Sequence, residues 1–454
     1  MDREENIDVL FEKLKEMLDE RRYRDLKDAL SEMNEVDIAE FLSGLENNEQ
    51  TVIAYRSLGK ELAADVFSNL DPDIQESIIN AITDKELQEI MGELFVDDAV
   101  DMLEELPANV VKRVLRNTTP EDRKIINQFL QYPENSAGSI MTAEFIDLKD
   151  NMTVEDAIKR IRRTADDKET IYTCYVLDNS RHLIGVVTVK HLLLSQDDDL
   201  VTDIMDDDVF KVTTTDDQEE VAYLFSKYDL LSIPVVDKEN RLVGIVTVDD
   251  AMDVIEEEAT EDFEKMAAML PSEKPYLKMD VITLFRNRIP WLLILMISAT
   301  VTGSILGRFE SAFVAFPILV TCIPMLTDTG GNAGNQTSTT VIRGMALREI
   351  EPEDVLKVMW KEFRVATLCG GTLAVVNFIR MMLMYPGHAA ESLTVSIAVI
   401  VSVMLAKAVA SILPIGAKVL HLDPALVASP MLTTVVDAIA LTAYFMIARL
   451  ILPI

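Results

Sequence analysis

One aspartate stands in the middle of an apolar run, Asp437 in PMLTTVVDAIALTAYF (residues 430–445). A carboxylate at the centre of a membrane-spanning helix costs about 2.5 to 3.5 kcal/mol on insertion scales, so such a residue marks a task other than packing. Asp328 and the run GGNAGNQTSTT from Gly330 to Thr340 raise the same question. Glycines at 330, 331 and 334 weaken a helix, and backbone left unpaired in hydrocarbon is tolerated only where it is buried in protein or lines a water-filled path. Asn332, Asn335, Gln336, Thr337 and Ser338 would offer neutral oxygens to that path. Two structural alternatives compete: a tight small-residue helix interface for the glycine run, and pairing of Asp437 with an internal base such as Lys407.

A second chemistry is written in clustered carboxylates. The segment DDAMDVIEEEATEDFEKMAAML (residues 249–270) places Asp250, Asp253, Glu257 and Glu261 three or four residues apart, on one face of a helix. Like charges at that spacing cost a few tenths of a kcal/mol per pair, so something positive should relieve them. Lys265 is the first base after Arg241, which makes divalent cations the economical answer. Asp97, Asp98 and Asp101 form a similar group, as do Asp216, Asp217, Glu219, Glu220 and Asp229. For any single cluster a solvated acidic face competes with this reading.

The elements that carry these residues fall into two halves. Of 454 residues, the first 280 hold 67 acids and 30 bases, whereas residues 281–454 hold 10 acids and 12 bases. The overall charge of −35 disfavours nucleic acid as a partner. A mean hydropathy of +0.16 is high for so acidic a chain, and the second half supplies it. Between Arg288 and Arg308 lie 19 uncharged residues, enough at about 1.5 Å per residue to cross a hydrocarbon core of about 30 Å. Ser311–Ile342, Trp360–Tyr385, Leu393–Leu413 and Ala425–Ile451 bring the expected spans to five. Arg286 and Arg288 before the first span, and Arg343, Arg348, Lys357, Lys361 and Arg364 between the second and third, set those flanks in the cytoplasm and the C-terminus outside. The charged N-terminus has no apolar core of a secretory signal. Cys174, Cys322 and Cys369 are too scattered for a disulfide framework or a CxxC metal site.

An internal repeat organises the soluble half. YVLDNSRHLIGVVTV (residues 175–189) matches VVDKENRLVGIVTV (residues 235–248), Asp178 matches Asp237, Gly185 matches Gly244, and Ile140-Met141 matches Ile204-Met205. Each copy reads as strand, helix, strand, turn, strand, helix. The pair resembles tandem CBS (cystathionine beta-synthase) domains. Ahead of it, the phrases DIAEFLSGL, ELAADVFSNL, KELQEIMGEL and DDAVDMLEEL end at Leu45, Leu70, Leu94 and Leu106, with proline breakers at Asp71-Pro72, Pro107 and Thr119-Pro120, the pattern of a stack of short amphipathic helices. No phosphate-binding loop or nucleophile-base pair appears, and His182, His191, His388 and His421 are scattered.

In this order, with the GGNAGNQ run, VTVDDAMDVIEEEATEDF and LDPALVASPMLTTVVDAIAL, the chain resembles the MgtE family of magnesium channels and transporters over essentially its whole length. The resemblance implies a multidomain chain that is not an enzyme: an all-α helical superhelix (1–135), an α/β CBS pair (138–200 and 201–256), a long connecting "plug" helix (257–284) and a five-helix transmembrane domain (285–454). It implies a homodimer in the cell membrane whose pore lies on the two-fold axis and is formed mainly by the second and fifth spans. Asp437 falls on the family's pore aspartate, and Asn332, Asn335 and Gln336 fall on its GGNxGNQ motif. Thr433 and Thr434, beside Asp437, can accept hydrogen bonds from the waters of a hydrated Mg2+. Regulatory Mg2+ would bind at Asp97 and Asp101 in the stack, at Asp217, Glu219 and Asp229 in the second CBS copy, and at Asp250, Asp253, Glu258 and Glu261 in the connector, holding the pore shut. Some members bind ATP in the CBS cleft, where Pro234, Thr247 and Asp249 stand near the corresponding positions. Ser429 departs from relatives that carry Asn there.

Three other readings are weighed against this one. The nearest keeps the transporter and changes the ion to Mn2+, Co2+, Ni2+ or Ca2+; with no His or Cys near Asp437, an all-oxygen site suits Mg2+ or Ca2+ better than softer metals. A CBS-coupled membrane receptor leaves Asp437 and the glycine run without a role. Asp328-Thr329-Gly330 spells the triplet of aspartic proteases, but it follows an apolar span rather than a β-loop.

Overall fold

The computed structural model describes residues 2–45, 47–272, 276–309, 314–427 and 429–453. The chain divides into two compact units, Met1–Ile255 and Glu256–Ile454.

The first unit opens with α1 (Asp2–Asp19), α2 (Tyr23–Leu30), α3 (Glu35–Ser43), α4 (Asn48–Tyr55), α5 (Lys60–Ser68), α6 (Pro72–Ala81), α7 (Asp84–Met91), α8 (Val96–Glu105), α9 (Ala108–Asn117) and α10 (Pro120–Phe129). Local chemistry starts them. Thr83 and Glu86 form a reciprocal capping box on α7, Thr119 caps α10 through the Asp122 amide, and Pro72 and Pro120 occupy first-turn positions where a missing N–H costs nothing. From α2 to α10, each helix packs on the next but one, so odd and even helices form two rows, the geometry of a helical solenoid. Leu45, Leu70 and Leu106, which close the repeated phrases, are buried. The apolar core runs on from the stack into Val212, Phe225, Val235 and Val246 of the second CBS copy.

The two copies fold alike. The first has β1 (Ile146–Lys149), α11 (Val154–Thr164), β2 (Thr173–Leu177), β3 (Leu183–Thr188) and α12 (Val189–Leu194); the short α13 (Val201–Ile204) leads to the second, with β4 (Val212–Thr213), α14 (Gln218–Tyr228), β5 (Ser232–Val236), β6 (Leu242–Thr247) and α15 (Val248–Met266). In each sheet the first strand pairs parallel to the second and the second antiparallel to the third. Asp178 accepts the amides of Ser180 and His182, and Asp237 accepts those of Glu239 and Arg241, so both aspartates close their hairpin turns identically. The remaining repeat residues are exchanged between copies. A Cβ on Gly185 would lie 2.5 Å from Met205 Sδ, and one on Gly244 would lie 2.7 Å from Met141 Sδ, so the methionine that begins each copy fills the notch left by the glycine of the other. A buried bond of 2.7 Å between the Tyr175 and Ser232 hydroxyls also joins them.

The second unit takes the C-terminal part of α15 and continues with α16 (Val281–Arg308), α17 (Pro317–Thr321), α18 (Ile323–Ala346), α19 (Val355–Met384), α20 (Ala389–Val419) and α21 (Ser429–Ile451). The most buried of the long helices is α20, which packs on α18, α19 and α21, while α16 packs on α21. Among the described residues, four helical segments are long and apolar enough to cross a membrane: Val281–Arg308, Pro352–Met384, Ala389–Val419 and Pro424–Ile451. The remaining expected span, the second (Ser311–Ile342), corresponds to α18, which is not among them because its middle is the polar glycine run; the start of that span at Ser311 lies outside the described residues. Leu292, Ile297, Leu368, Val376 and Leu450 are exposed, as lipid-facing side chains of a single chain should be.

The exchanged glycine-methionine contacts give a stability test. At Gly244 a Cβ would also meet the Thr142 carbonyl oxygen at 2.8 Å, and backbone cannot swing aside as a thioether can. Gly244→Ala is therefore expected to destabilise the first unit by about 1 to 3 kcal/mol, read as a lower midpoint in thermal unfolding; an unchanged midpoint would show that the notch is not filled in this way.

Candidate functional site

The glycine run does not break its helix. α18 is continuous through Gly330, Gly331 and Gly334, and the small-residue interface is the arrangement realised. A Cβ on Gly330 would stand 2.8 Å from Ser402 Oγ of α20 and 3.4 Å from Val436 of α21, one on Gly331 would stand 3.3 Å from the Thr433 methyl, and one on Gly334 would stand 3.6 Å from Leu432 and Val436. The three glycines thus seat α18 closely on α20 and α21. Asp328, Asn332 and Gln336, spaced by four, are exposed on the outer face of α18. The triplet Asp328-Thr329-Gly330 lies within the helix, which removes the β-loop setting of an aspartic protease.

Several oxygens in this unit are buried without a hydrogen-bond partner: Asn335 Oδ1, Ser338 Oγ, Ser402 Oγ and Asp437 Oδ1. Thr434, a neighbour of Asp437, donates its hydroxyl to the Pro430 carbonyl of its own helix at 3.1 Å. The expected alternative partner of Asp437 is engaged elsewhere. Lys407, only 5% exposed, directs its ammonium to Glu362 Oε2 at 3.1 Å and Thr337 Oγ1 at 2.8 Å. Glu362 does not stand out in sequence, because it lies between Lys361 and Arg364 in what reads as a basic loop; only its contact with a lysine 45 residues away reveals it. The side chain of Ser429 lies outside the described residues.

The first unit gathers some of its expected carboxylates and separates others. Burial pushes Asp97 well above the usual carboxylate range, with Asp98, Asp250 and Glu169 adding to the rise. Asp98 is pushed to about 6 by burial and by Asp250, Asp65 and Glu144. Glu169, which no local pattern singles out, is pushed to about 7 by burial and by Asp250, Asp249 and Asp98. Asp250 is raised by burial, against the lowering effect of a 2.5 Å hydrogen bond from the Thr247 hydroxyl. Asp101, one turn beyond Asp97 on α8, is exposed, as is Asp253, whose charge adds to the rise of Asp250. Asp217 and Asp229 mark the two ends of α14, about 18 Å apart at 1.5 Å per residue. Asp217 caps the helix by accepting the Glu219 amide at 2.9 Å, and Asp229 ends it in a left-handed conformation with φ 50°. Among the described residues no three His, Cys, Asp or Glu side chains form a ready-made metal ligand set.

The connector carries a third cluster. Within the second unit, Lys265 bridges Glu261 at 2.6 Å and Asp423, in the loop before α21, at 2.7 Å. Burial and Asp423 push Asp262 to about 6, opposed by Lys265 and reinforced by Glu258 and Glu261. Neither Asp262 nor Asp423 stands out in sequence as a partner of the other, since 161 residues separate them. Of the proposed nucleotide contacts, Pro234 is buried in β5, Asp249 is exposed at the start of α15, and the Thr247 hydroxyl is taken up by Asp250.

Residues 323–447 match the family described as "Divalent cation transporter", residues 33–135 the "MgtE intracellular N domain", and residues 137–197 and 201–257 the CBS domain. The chain is 37% identical over 444 residues to the magnesium transporter MgtE of Thermus thermophilus, covering 97% of this chain and 98% of that one. It is 30% identical over 437 residues to the magnesium transporter MgtE of Bacillus subtilis, covering 95% of each. Among solved structures, the soluble part of a magnesium transporter is 32% identical with a TM-score of 0.53, covering 56% of this chain and 99% of that one. The cytosolic domain of the Mg2+ channel MgtE in complex with ATP is 38% identical with a TM-score of 0.51, covering 53% and 98%.

Acids whose folded pKa is raised hold protons that the unfolded chain has already released, so their contribution favours the fold at low pH and is lost as pH rises through the folded value. For Glu169 that window runs from the ordinary glutamate range up to about 7. In chelator, thermal stability of the first unit should fall between pH 5 and pH 8. Glu169→Gln should flatten the fall, recovering on the order of 2 kcal/mol at pH 8. A pH-independent melting midpoint in both proteins would refute the electrostatic coupling of this cluster.

Proposed function

The chain belongs to the MgtE family of magnesium transporters, and from that premise we propose that Mg2+ crosses the membrane along a polar path built by α18 and α21. The observation that carries this reading is that Asp437 Oδ1 and Asn335 Oδ1, on two helices packed through glycine, are buried with no protein partner. Bare oxygens in an apolar unit cost free energy until water or an ion meets them. Mg2+ releases its octahedral water shell reluctantly, so a hydrated ion presents O–H donors to any acceptor that lines its route. In this path Asp437 supplies charge, while Asn332, Asn335, Gln336, Thr433 and backbone carbonyls supply neutral acceptors, with Thr434 one turn from its own carbonyl acceptor.

A homodimer completes the path. The exposure of Asp328, Asn332 and Gln336 in a single chain is costly against lipid and harmless along an axis shared by two copies. Two Asp437 carboxylates would then face one route with a charge of about −2. The membrane potential favours inward movement by about 2.3 kcal/mol per charge per 100 mV, so no nucleotide hydrolysis is needed. The basic flanks of the spans support a cytoplasmic first unit and an outer C-terminus.

Regulation by cytoplasmic Mg2+ is the second part of the proposal. Asp97, Asp98, Glu169 and Asp250 repel one another in the first unit, and Glu258, Glu261, Asp262 and Asp423 do so in the second. A bound dication, its shell completed by water, offsets that repulsion and stabilises a closed state; at low Mg2+ the open state gains population. Asp101, Asp217, Glu219, Asp229 and Asp253 are the further carboxylates that this regulation would draw on. The solved ATP complex of a relative's cytosolic domain supports nucleotide binding to this CBS pair near Pro234, Thr247 and Asp249, with the Thr247 hydroxyl first released by Asp250.

Current through the purified full chain in a planar bilayer, with Mg2+ as permeant cation, tests both parts. Asp437→Ala is expected to reduce or deregulate Mg2+ current by at least about tenfold. Asp250→Asn with Asp253→Asn is expected to leave current flowing at millimolar Mg2+ on the side of the first unit, where the wild type is shut. Unaltered current in the first variant removes Asp437 from the path; unaltered inhibition in the second removes the sensor. Larger currents with Mn2+, Co2+, Ni2+ or Ca2+ would reassign the ion.

A further inference from the structure

Over its polar middle, α18 meets its neighbours largely through glycine. Gly330, Gly331 and Gly334 let the helices approach, yet they have no side chains with which to interlock. One residue of the same buried face does make directional bonds. Thr337, 2% exposed, accepts from the Lys407 ammonium of α20 at 2.8 Å and donates to Glu362 Oε2 of α19 at 2.9 Å, while Lys407 reaches that same carboxylate oxygen at 3.1 Å. Three helices thus close one ring of hydrogen bonds around a buried ion pair.

The ring lies behind the polar face. At about 100° per residue, Thr337 is about half a turn from Asp328, about 140° from Asn332 and about 100° from Gln336. Holding Thr337 inward therefore holds those three outward. Lys407 is 5% exposed and the part-buried Glu362 side chain 17%, so the lysine has little access to water and is held by its carboxylate partner.

We propose that the Thr337–Lys407–Glu362 ring is a rotational lock on α18, a positioning device that keeps Asp328, Asn332 and Gln336 turned toward the ion path without touching the ion. The proposal rests on the reading that this face of α18 lines the path. Charge neutrality is part of the design: Glu362 cancels the fixed positive charge of Lys407, which would otherwise oppose a dication.

The test uses the full chain in proteoliposomes with an entrapped Mg2+ indicator. Thr337→Val leaves the ion pair but removes the bond to α18. It is expected to elute and melt as the wild type does, while losing at least about tenfold in Mg2+ flux, because small rotations of preorganised groups are costly. The preference for Mg2+ over Ca2+ should fall with it. Thr337→Ser, which restores a hydroxyl, should recover both. Wild-type flux and preference in Thr337→Val, or no recovery in Thr337→Ser, overturn the lock. Should Thr337→Val not fold, the neutral pair Glu362→Met with Lys407→Met gives the same reading, since it leaves no buried charge and no bond to Thr337; wild-type flux there also overturns it. Absence of Mg2+ flux in the wild type would instead count against the transport reading itself.

Discussion

A polar atom inside hydrocarbon must be met by another polar atom, and the second unit is organised around that requirement. Its centre holds a lysine, a glutamate, an aspartate and a run of amides and hydroxyls, on helices that otherwise read as lipid-facing or core. The fold meets this load in three ways. Glycines at 330, 331 and 334 bring backbones close enough to exclude lipid. The lysine and glutamate neutralise each other through Thr337. The oxygens of Asn335, Ser338, Ser402 and Asp437 are left bare, and these are the atoms a hydrated cation can use.

The first unit faces the converse condition. Its carboxylates are many, and burial together with mutual repulsion pushes Asp97, Asp98, Glu169 and Asp250 above the usual carboxylate range. Such a cluster is poised to respond to cations, because a dication supplies what a proton supplies, with twice the charge. On the proposed function the same hard oxygen chemistry would serve two places: a few neutral and charged acceptors for passage, and many carboxylates for sensing. In the connector, Lys265 already holds Glu261 and Asp423 together, a tethered ammonium among acids.

Much of this was legible from the residues in order. The CBS pair could be read because its turns are local: Asp178 and Asp237 each close a hairpin within four residues, and β-branched runs flank them. The helical stack could be read because prolines and caps punctuate it. Asp437 could be read because a charge in an apolar run is conspicuous wherever it ends up. The glycine run was legible as special, with an open path and a helix interface both left standing; the structure realises the interface, because glycine's weak intrinsic preference is overridden when a close helix partner takes the space its missing side chain leaves.

What the residues determined by themselves is therefore the order of the parts, the apolar segments, and which side chains are chemically out of place; these follow from composition and short-range periodicity. Only the tertiary structure decided who meets whom. It assigned Lys407 to Glu362 rather than to Asp437, drew Glu169 and Asp98 into a cluster with Asp250, set Asp423 against Lys265, and placed Met205 and Met141 in notches belonging to the opposite repeat. Each of these pairings spans tens of residues or more, and their partners are chosen by helix packing and burial in three dimensions, which no local pattern along the chain encodes.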